Sequence, residues 1–203
     1  MFVLAAASGL VGGDLQSWNE IRYQFAQRGR VSLSVRGGLR LRDSLSDLYD
    51  RRVGSDAVIR VGNRLNVLLG YLYRDRDLAE TLRYQEHRPT AGISYLLVTR
   101  RSLLVEGTTL YDRQILNHGL PDNHRWRQQF EVEQPRRGAS PSLTEALMFN
   151  ERDGFYQSRS RAGIRIRLDE RGDTLWVGYQ FETIEAVGAW TPRHSIVTQI
   201  LLH

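Results

Sequence analysis

Apolar and polar residues alternate with a period of two through most of the chain. The alternation is clearest over residues 156–168, where one set reads Tyr156, Ser158, Ser160, Ala162, Ile164, Ile166 and Leu168. The intervening set reads Gln157, Arg159, Arg161, Gly163, Arg165 and Arg167. Because successive side chains of a β-strand point to opposite faces, this pattern predicts a strand with one apolar or small face and one cationic face.

The same alternation defines about eleven candidate strands. They run approximately over 15–26, 30–42, 55–62, 65–75, 84–98, 102–113, 124–134, 142–150, 155–168, 173–184 and 193–202. Most approach the roughly 9–11 residues that a tilted membrane-spanning strand needs. Since single-chain bacterial barrels usually have an even number of strands, we expect about twelve, with residues 2–11 as the extra strand, or ten if one candidate is a loop.

The connections between the candidate strands are expected to alternate in length. Short turns are predicted near residues 28–29, 62–63, 100–101 and 171–173, and longer polar loops over 43–54, 76–83, 114–123, 151–154 and 185–192. Two aromatic girdles are expected at the strand ends. The first would contain Tyr71, Tyr73, Tyr111, Trp126, Phe149, Tyr156 and Trp190, and the second Tyr23, Phe25, Tyr95 and Trp176. The Gly37-Gly38 pair predicts a bend or bulge within a strand.

These features predict an all-β protein with one domain, an antiparallel up-and-down transmembrane β-barrel over residues 14–203. A small soluble barrel has the opposite polarity, apolar inside and polar outside, and a soluble binding barrel is the alternative fold. Strand length and alternating loop length favour the membrane barrel. Residues 1–13 are apolar and rich in small side chains but lack a basic segment, so we interpret them as a leader or the remnant of a signal peptide.

The charged residues narrow the choice of partners. The chain has 203 residues, with 28 basic and 23 acidic ones, and every basic residue is an arginine. The arginines are spread among acidic residues instead of forming a patch, which argues against a nucleic-acid partner. There is no cysteine, so a disulfide framework or a thiolate metal site is excluded. No cofactor and no metal site are predicted, and outer-membrane lipid is the expected surrounding.

The polar faces of the candidate strands place both signs of charge in the barrel interior. Because buried charges need partners, we interpret them as an ion-pair network. Its predicted members are Glu20, Arg22, Arg36, Arg40, Arg74, Glu86, Arg88, Glu106, Arg127, Glu131, Arg159, Arg161, Arg165, Arg167 and Glu182. Arginines outnumber acids in this set, and a surplus of positive charge favours anions. The predicted function is a structural barrel or a narrow, anion-leaning pore.

A lipid-modifying hydrolase of the outer membrane is the alternative function. His194 and Ser195 supply the residue types of a nucleophile and its base. Adjacent residues of one strand point to opposite faces, so these two are not expected to act together. Ser158 or Ser160 would have to meet a histidine from another strand, and no catalytic residue is assigned. The sequence therefore favours a protein that is not an enzyme.

Several short motifs, in this order and spacing, carry a resemblance to a known family. They are Trp18-Asn19-Glu20, Gly70-Tyr71-Leu72-Tyr73-Arg74, Glu86-His87-Arg88, residues 124–131 (HRWRQQFE), Asn150-Glu151, Arg161-Ala162-Gly163-Ile164 and Gly178-Tyr179. Over residues 14–203 the chain resembles a family of Gram-negative outer-membrane β-barrels, domain of unknown function 2490.

The resemblance implies a location in the bacterial outer membrane and insertion by the barrel-insertion machinery. It implies no reaction, and it leaves the oligomeric state open. Barrels of this kind generally end in an aromatic residue, commonly phenylalanine, which that machinery reads. This chain departs from the pattern and ends in Ile200-Leu201-Leu202-His203.

Overall fold

Eleven strands follow one another along the chain in the computed structural model, which describes residues 15–42, 45–79, 82–117, 122–151, 153–186 and 189–203. The strands are β1 (Leu15–Arg28), β2 (Val31–Arg42), β3 (Asp47–Arg60), β4 (Leu65–Ala79), β5 (Leu82–Arg100), β6 (Leu103–Leu116), β7 (Asn123–Glu133), β8 (Ala139–Asn150), β9 (Gly154–Arg167), β10 (Thr174–Ala186) and β11 (Ala189–Leu202). Each strand corresponds to one candidate, and the predicted all-β barrel is confirmed.

The barrel closes between its first and last strands. Sequential neighbours pair antiparallel, whereas β1 and β11 pair in parallel from Leu15 opposite His194 to Tyr23 opposite Leu202. An odd number of strands requires this, because direction reverses at each hairpin and the first and eleventh strands therefore run the same way. The expected count of about twelve is not confirmed. Residues 2–11 lie outside the described residues, and the eleven described strands close the barrel without them.

The predicted contrast between short turns and long loops is wrong. Strand β3 already begins at Asp47, within the predicted loop 43–54, and β4 and β5 extend to Ala79 and Leu82 across most of the predicted loop 76–83. The polar composition of these segments suggested loops, yet opposite charges face each other across the strands, as with Asp50 opposite Arg40 and Arg76. Cross-strand pairs of opposite charge stabilise a sheet, so the ladder continues to both rims.

The two faces of the barrel differ sharply in polarity. Large apolar side chains are exposed on the outer face, among them Ile21, Val35, Leu39, Val53, Leu69, Leu143 and Ile164. The buried side chains of the interior include Asp50, Glu86, Asp112, Arg125 and Glu182. This arrangement is the inverse of a small soluble barrel, which fills its interior with apolar side chains. Among the described residues, no helix is long and apolar enough to cross a membrane.

Aromatic side chains form contacts on the outer face near the rim where β2, β4, β6, β8 and β10 end. The ring centroids of Tyr111 and Trp126 are 4.7 Å apart, and Phe155 lies 5.4 Å from Phe149 and 5.3 Å from Trp190. These contacts are those expected of an interfacial girdle.

Two of the predicted girdle residues lie inside the barrel instead. The indole of Trp176 donates to Ser142 Oγ at 2.8 Å and is buried. An added Cβ at Gly163 or Gly178 would collide with this indole, so both glycines make room for it. Tyr156 lines the lumen because a register shift after Met148 places Phe155 on the outer face. Strict alternation could not locate that shift.

The Gly37-Gly38 pair is not a bulge. Gly38 pairs regularly with Glu20, and the register shifts of this region occur at Gln24/Ala26 and Arg40/Leu41. Gly38 faces the lumen, where an added Cβ would lie 3.0 Å from Cγ of Arg52. The missing side chain therefore provides the space that the Arg52 side chain occupies.

Candidate functional site: a charged lumen

The lumen contains two chambers that share part of their lining. One, of about 310 Å³, lies toward the rim where β1, β3, β5, β7 and β9 end (the first rim), and the other, of about 340 Å³, lies toward the opposite rim (the second rim). Side chains at the junction line both chambers, and they are Trp18, Glu20, Arg36, Thr90, Arg127 and Arg159. A solute that passes from one chamber to the other would meet the charged groups Glu20, Arg36, Arg127 and Arg159 at this junction.

Trp18 is the centre of the junction. The guanidinium carbons of four arginines lie close to its ring centroid: Arg40 at 4.1 Å, Arg161 at 4.4 Å, Arg52 at 4.6 Å and Arg159 at 5.3 Å. We call these five residues the Trp18 cage. The negative face of an indole attracts guanidinium groups, but the ring carries no net charge. The cage therefore holds four cations together without neutralising them.

Asp50 neutralises part of this charge from β3. It is fully buried and accepts hydrogen bonds from Nη2 of Arg52 at 3.1 Å and Nε of Arg74 at 2.9 Å, while Arg40 Nε lies 4.0 Å away. Pairing between β2, β3 and β4 places these residues side by side. Three guanidinium groups surround one carboxylate, so the group keeps a net positive charge.

Glu86 continues the network on β5. Its carboxylate accepts hydrogen bonds from Nε of Arg88 at 2.6 Å and from the amide of Gln114 at 2.8 Å. Nη1 of Arg74 lies 3.5 Å from its other oxygen, so Arg74 bridges Asp50 and Glu86. His87, which lies between Glu86 and Arg88 in the sequence, is exposed on the outer face.

Asp112 on β6 and Glu182 on β10 bind further arginines of this ion-pair network. Asp112 accepts hydrogen bonds from Thr90 at 2.6 Å and from Nε of Arg125 at 2.9 Å, and it is fully buried. Glu182 accepts a hydrogen bond from Nη2 of Arg159 at 2.6 Å. Buried carboxylates with several donors hold their arginines in fixed positions.

A second group of charges lies toward the first rim. Arg165 binds Glu133 and, at 2.9 Å, Glu131, and the register places Glu106 opposite Glu131. Asp56 is shared by two arginines, and the ion pairs of this region are Arg36–Asp56 at 3.2 Å, Arg22–Asp56 at 3.6 Å and Arg22–Glu20 at 3.9 Å. Five carboxylates and three arginines make up this group, so it differs from the Trp18 cage in carrying more negative than positive charge.

Arg167 does not belong to the lumen. It is the last residue of β9 and is exposed at the first rim. Alternation gives it the inward parity of Arg165, but the strand ends before the side chain reaches the interior. Among the ion pairs of the described residues, none includes Arg167.

Arg127 of the junction and Arg161 of the Trp18 cage have little negative charge beside them. Arg161 donates to the neutral amide oxygen of Gln180 at 2.8 Å, and within the described part of the chain no carboxylate lies within ion-pair distance of it. The carboxylate nearest to Arg127 is that of Asp112, at 3.9 Å. Several buried N–H groups here have no hydrogen-bond acceptor among the described residues: Nε1 of Trp18 and Nε of Arg36, Arg40, Arg52 and Arg127. Buried donors are usually satisfied, so these five N–H groups are exceptions.

Comparison with solved structures supports the assignment of the architecture. The NanC porin structure matches with a TM-score of 0.50 and 10% identity, over 86% of this chain and 89% of that one. The chain has a porin-like fold. An anion-selective porin from Comamonas acidovorans matches with a TM-score of 0.43 and 16% identity, over 88% of this chain and 54% of that one. No family model and no curated protein matches the chain, so the resemblance to domain of unknown function 2490 rests on its motifs alone.

The predicted network of this porin-like barrel did not include Asp50, Arg52, Asp56 or Arg125, which lie in the lumen. Asp50 and Arg52 fell within a predicted loop. The period-two series Asp50, Arg52, Gly54, Asp56 would have found three of them, because it extends the neighbouring candidate strand without a break. Arg125 lay within the candidate strand 124–134 and has the same parity as Arg127, so alternation would have indicated its inward direction.

The histidines do not form a hydrolytic site among the described residues. Three of them lie on the outer face, and each hydrogen-bonds through Nδ1 with a tyrosine hydroxyl. These pairs are Tyr71–His87, Tyr111–His124 and Tyr179–His194. Ser195 is buried on the opposite face from His194, as strand geometry requires.

Proposed function

We propose that the protein is a narrow, anion-preferring channel of the bacterial outer membrane. The observation that carries this proposal is the Trp18 cage, with Arg127 beside it. Only Asp50 and Glu182 form ion pairs with cage arginines, and Arg161 has no carboxylate partner among the described residues. The apolar outer face supports the membrane location, because it suits lipid and the charged interior suits water. Eleven strands enclose a lumen narrower than the aqueous channel of roughly 16–18-stranded porins, so conductance is small.

The lumen would favour anions in two ways. Guanidinium N–H groups replace part of the hydration shell that an entering oxyanion loses. The same positive potential opposes the entry of cations. Asp50, Glu86, Asp112 and Glu182 contribute by fixing the surrounding arginines, so that the donors remain directed into the lumen.

Ion selectivity in planar bilayers tests this proposal directly. The purified protein, inserted into a neutral bilayer under a potassium chloride gradient, is expected to give small current steps and a reversal potential that favours chloride. A reversal potential that favours potassium would contradict the assignment of lumen charges.

The membrane location predicts a strong effect of Ile164→Arg. Ile164 is exposed on the outer face, three residues before the end of β9, and an arginine facing lipid costs up to roughly 2–4 kcal/mol at the bilayer midplane and less toward the interfaces. We expect loss of the heat-modifiable folded band and less protein in the outer-membrane fraction. Gln129→Arg is the control, since Gln129 lines the lumen and should tolerate the charge. Equal tolerance of both variants would argue against lipid around the barrel.

Trp18 sets the width of the junction. Trp18→Ala removes the indole between the two chambers, so single-channel conductance should rise about twofold or more while the preference for anions persists. Trp126→Ala is the matched control, because Trp126 is exposed on the outer face. Unchanged conductance in Trp18→Ala would show that the constriction lies elsewhere.

A further inference from the structure

A group of polar side chains interrupts the apolar outer face on five neighbouring strands, β6 to β10. Its members, which we call the outer polar patch, are Thr109, Gln128, Glu145, Ser158, Ser160 and Thr183. Their outward direction follows from their neighbours. Thr144 and Ala146 line the lumen on either side of Glu145, and Arg159 and Arg161 do so on either side of Ser160. The outer face of β1 to β4 carries mainly large apolar side chains.

Glu145 is the most unusual member of the outer polar patch. It is the seventh of the twelve residues of β8, so it lies in the middle of the strand. Leu143 and Leu147 flank it along the outer face, and Phe130 and Ser160 are its partners on the adjacent strands. Ser160 donates one hydrogen bond to the Glu145 carboxylate. A carboxylate has about four acceptor sites, and the hydrocarbon of a bilayer offers no donor for the others.

The other members can both donate and accept further hydrogen bonds. Thr109 donates to the Gln128 amide oxygen at 2.6 Å, and the Gln128 amide donates to the Tyr95 hydroxyl at 2.8 Å. The hydroxyls of Ser158 and Thr183 are 2.9 Å apart. The second N–H of the Gln128 amide and the acceptor positions of the hydroxyls remain available to a partner.

The shape of the surface allows a close approach at β9. Its outward side chains Ser158, Ser160 and Ala162 are small, whereas Leu143 on β8 and Phe181 on β10 are large and exposed. Small side chains with hydroxyl groups are typical of contacts between protein segments within membranes, because they permit close packing and hydrogen bonds.

We infer that the outer polar patch binds a second copy of this chain within the membrane, with Glu145 of each copy accepting hydrogen bonds from the patch of the other. A two-fold contact brings the same surface together on both subunits and therefore requires a self-complementary surface. The outer polar patch fulfils this, since it combines a carboxylate acceptor with hydroxyl and amide donors. The inference depends on the proposed membrane location and is independent of the anion preference.

Single-cysteine variants test the contact, because the chain contains no cysteine of its own. Ser158→Cys places a thiol in the outer polar patch, and Ser55→Cys is the matched control on the exposed outer face of β3. After oxidation of intact membranes with copper phenanthroline, Ser158→Cys is expected to give a disulfide dimer of twice the chain mass. Ser55→Cys should give about tenfold less, as should Ser158→Cys combined with Glu145→Leu.

Each other outcome overturns the inference. Equal dimer yields from both cysteines would indicate random collision, and a cross-linked band of another mass would identify a different protein as the partner. Folding of the Glu145→Leu variant is checked by its heat-modifiable migration. The mass of the unaltered protein in native nanodiscs provides a measurement without substitutions, and a single barrel there contradicts the contact. A membrane-bound monomer overturns this inference alone, whereas a soluble protein overturns the proposed function as well.

Discussion

Replacing Asp50 with alanine is expected to destabilise the barrel by about 3–5 kcal/mol, the typical cost of removing one partner of a buried ion pair. The Asp50 side chain is fully buried and compensates the guanidinium groups of Arg40, Arg52 and Arg74. Without it, three buried cations repel one another with no carboxylate between them. Urea unfolding of the protein in detergent, followed by its heat-modifiable migration, measures the change.

Asp77→Ala provides the control for this prediction. Asp77 also forms an ion pair with an arginine, Arg51, at 3.5 Å, but both side chains are substantially exposed. An exposed pair contributes about 0–1 kcal/mol, so little change in the free energy of unfolding is expected. Asp50→Asn separates charge from packing, since it keeps the size of the side chain. If Asp50→Ala were no more harmful than Asp77→Ala, the buried network would not support the fold.

The double variant Arg127→Gln with Arg161→Gln is expected to abolish most of the anion preference. These two arginines have little negative charge nearby, as the 3.9 Å separation of Arg127 from Asp112 and the bond from Arg161 to Gln180 show. Glutamine keeps hydrogen-bonding capacity while removing two positive charges from the junction. The ratio of chloride to potassium permeability, obtained from reversal potentials, should fall toward about one.

A control variant with the same change of charge at the rim distinguishes the effect of lumen charges on selectivity from that of surface charges. Arg137 and Arg167 are both exposed near the first rim, so Arg137→Gln with Arg167→Gln lowers the net charge by the same amount. This control should leave the permeability ratio nearly unchanged at a salt concentration of about 1 M, where exposed charges are screened within roughly 3 Å. Similar effects of both double variants would assign the selectivity to overall charge and not to the Trp18 cage.

The sequence alone determined the strands and the direction of most side chains. Period-two alternation located all eleven strands, and it placed Glu86 and Arg88 inside and His87 outside because strand geometry leaves no other choice. Alternation failed where the backbone departs from strict pairing, as at Tyr156, and where charged composition resembled a loop, as at Asp50 and Arg52. Both failures have the same origin: the sequence of one strand does not show its register with the neighbouring strands or which charges those strands place opposite it.

Only the tertiary structure decided which charges compensate one another. The Trp18 cage takes its arginines from β2, β3 and β9, and these strands meet β1 because the barrel closes by the parallel pairing of β1 with β11. Arg159 and Arg161 are equivalent by alternation, yet Glu182 neutralises the first, whereas the second donates a hydrogen bond to the neutral Gln180 amide. Local sequence sets the face on which a charge lies, because that depends on one strand. Distances across the lumen depend on closure and register around the whole barrel, so they determine which arginines remain available to an anion.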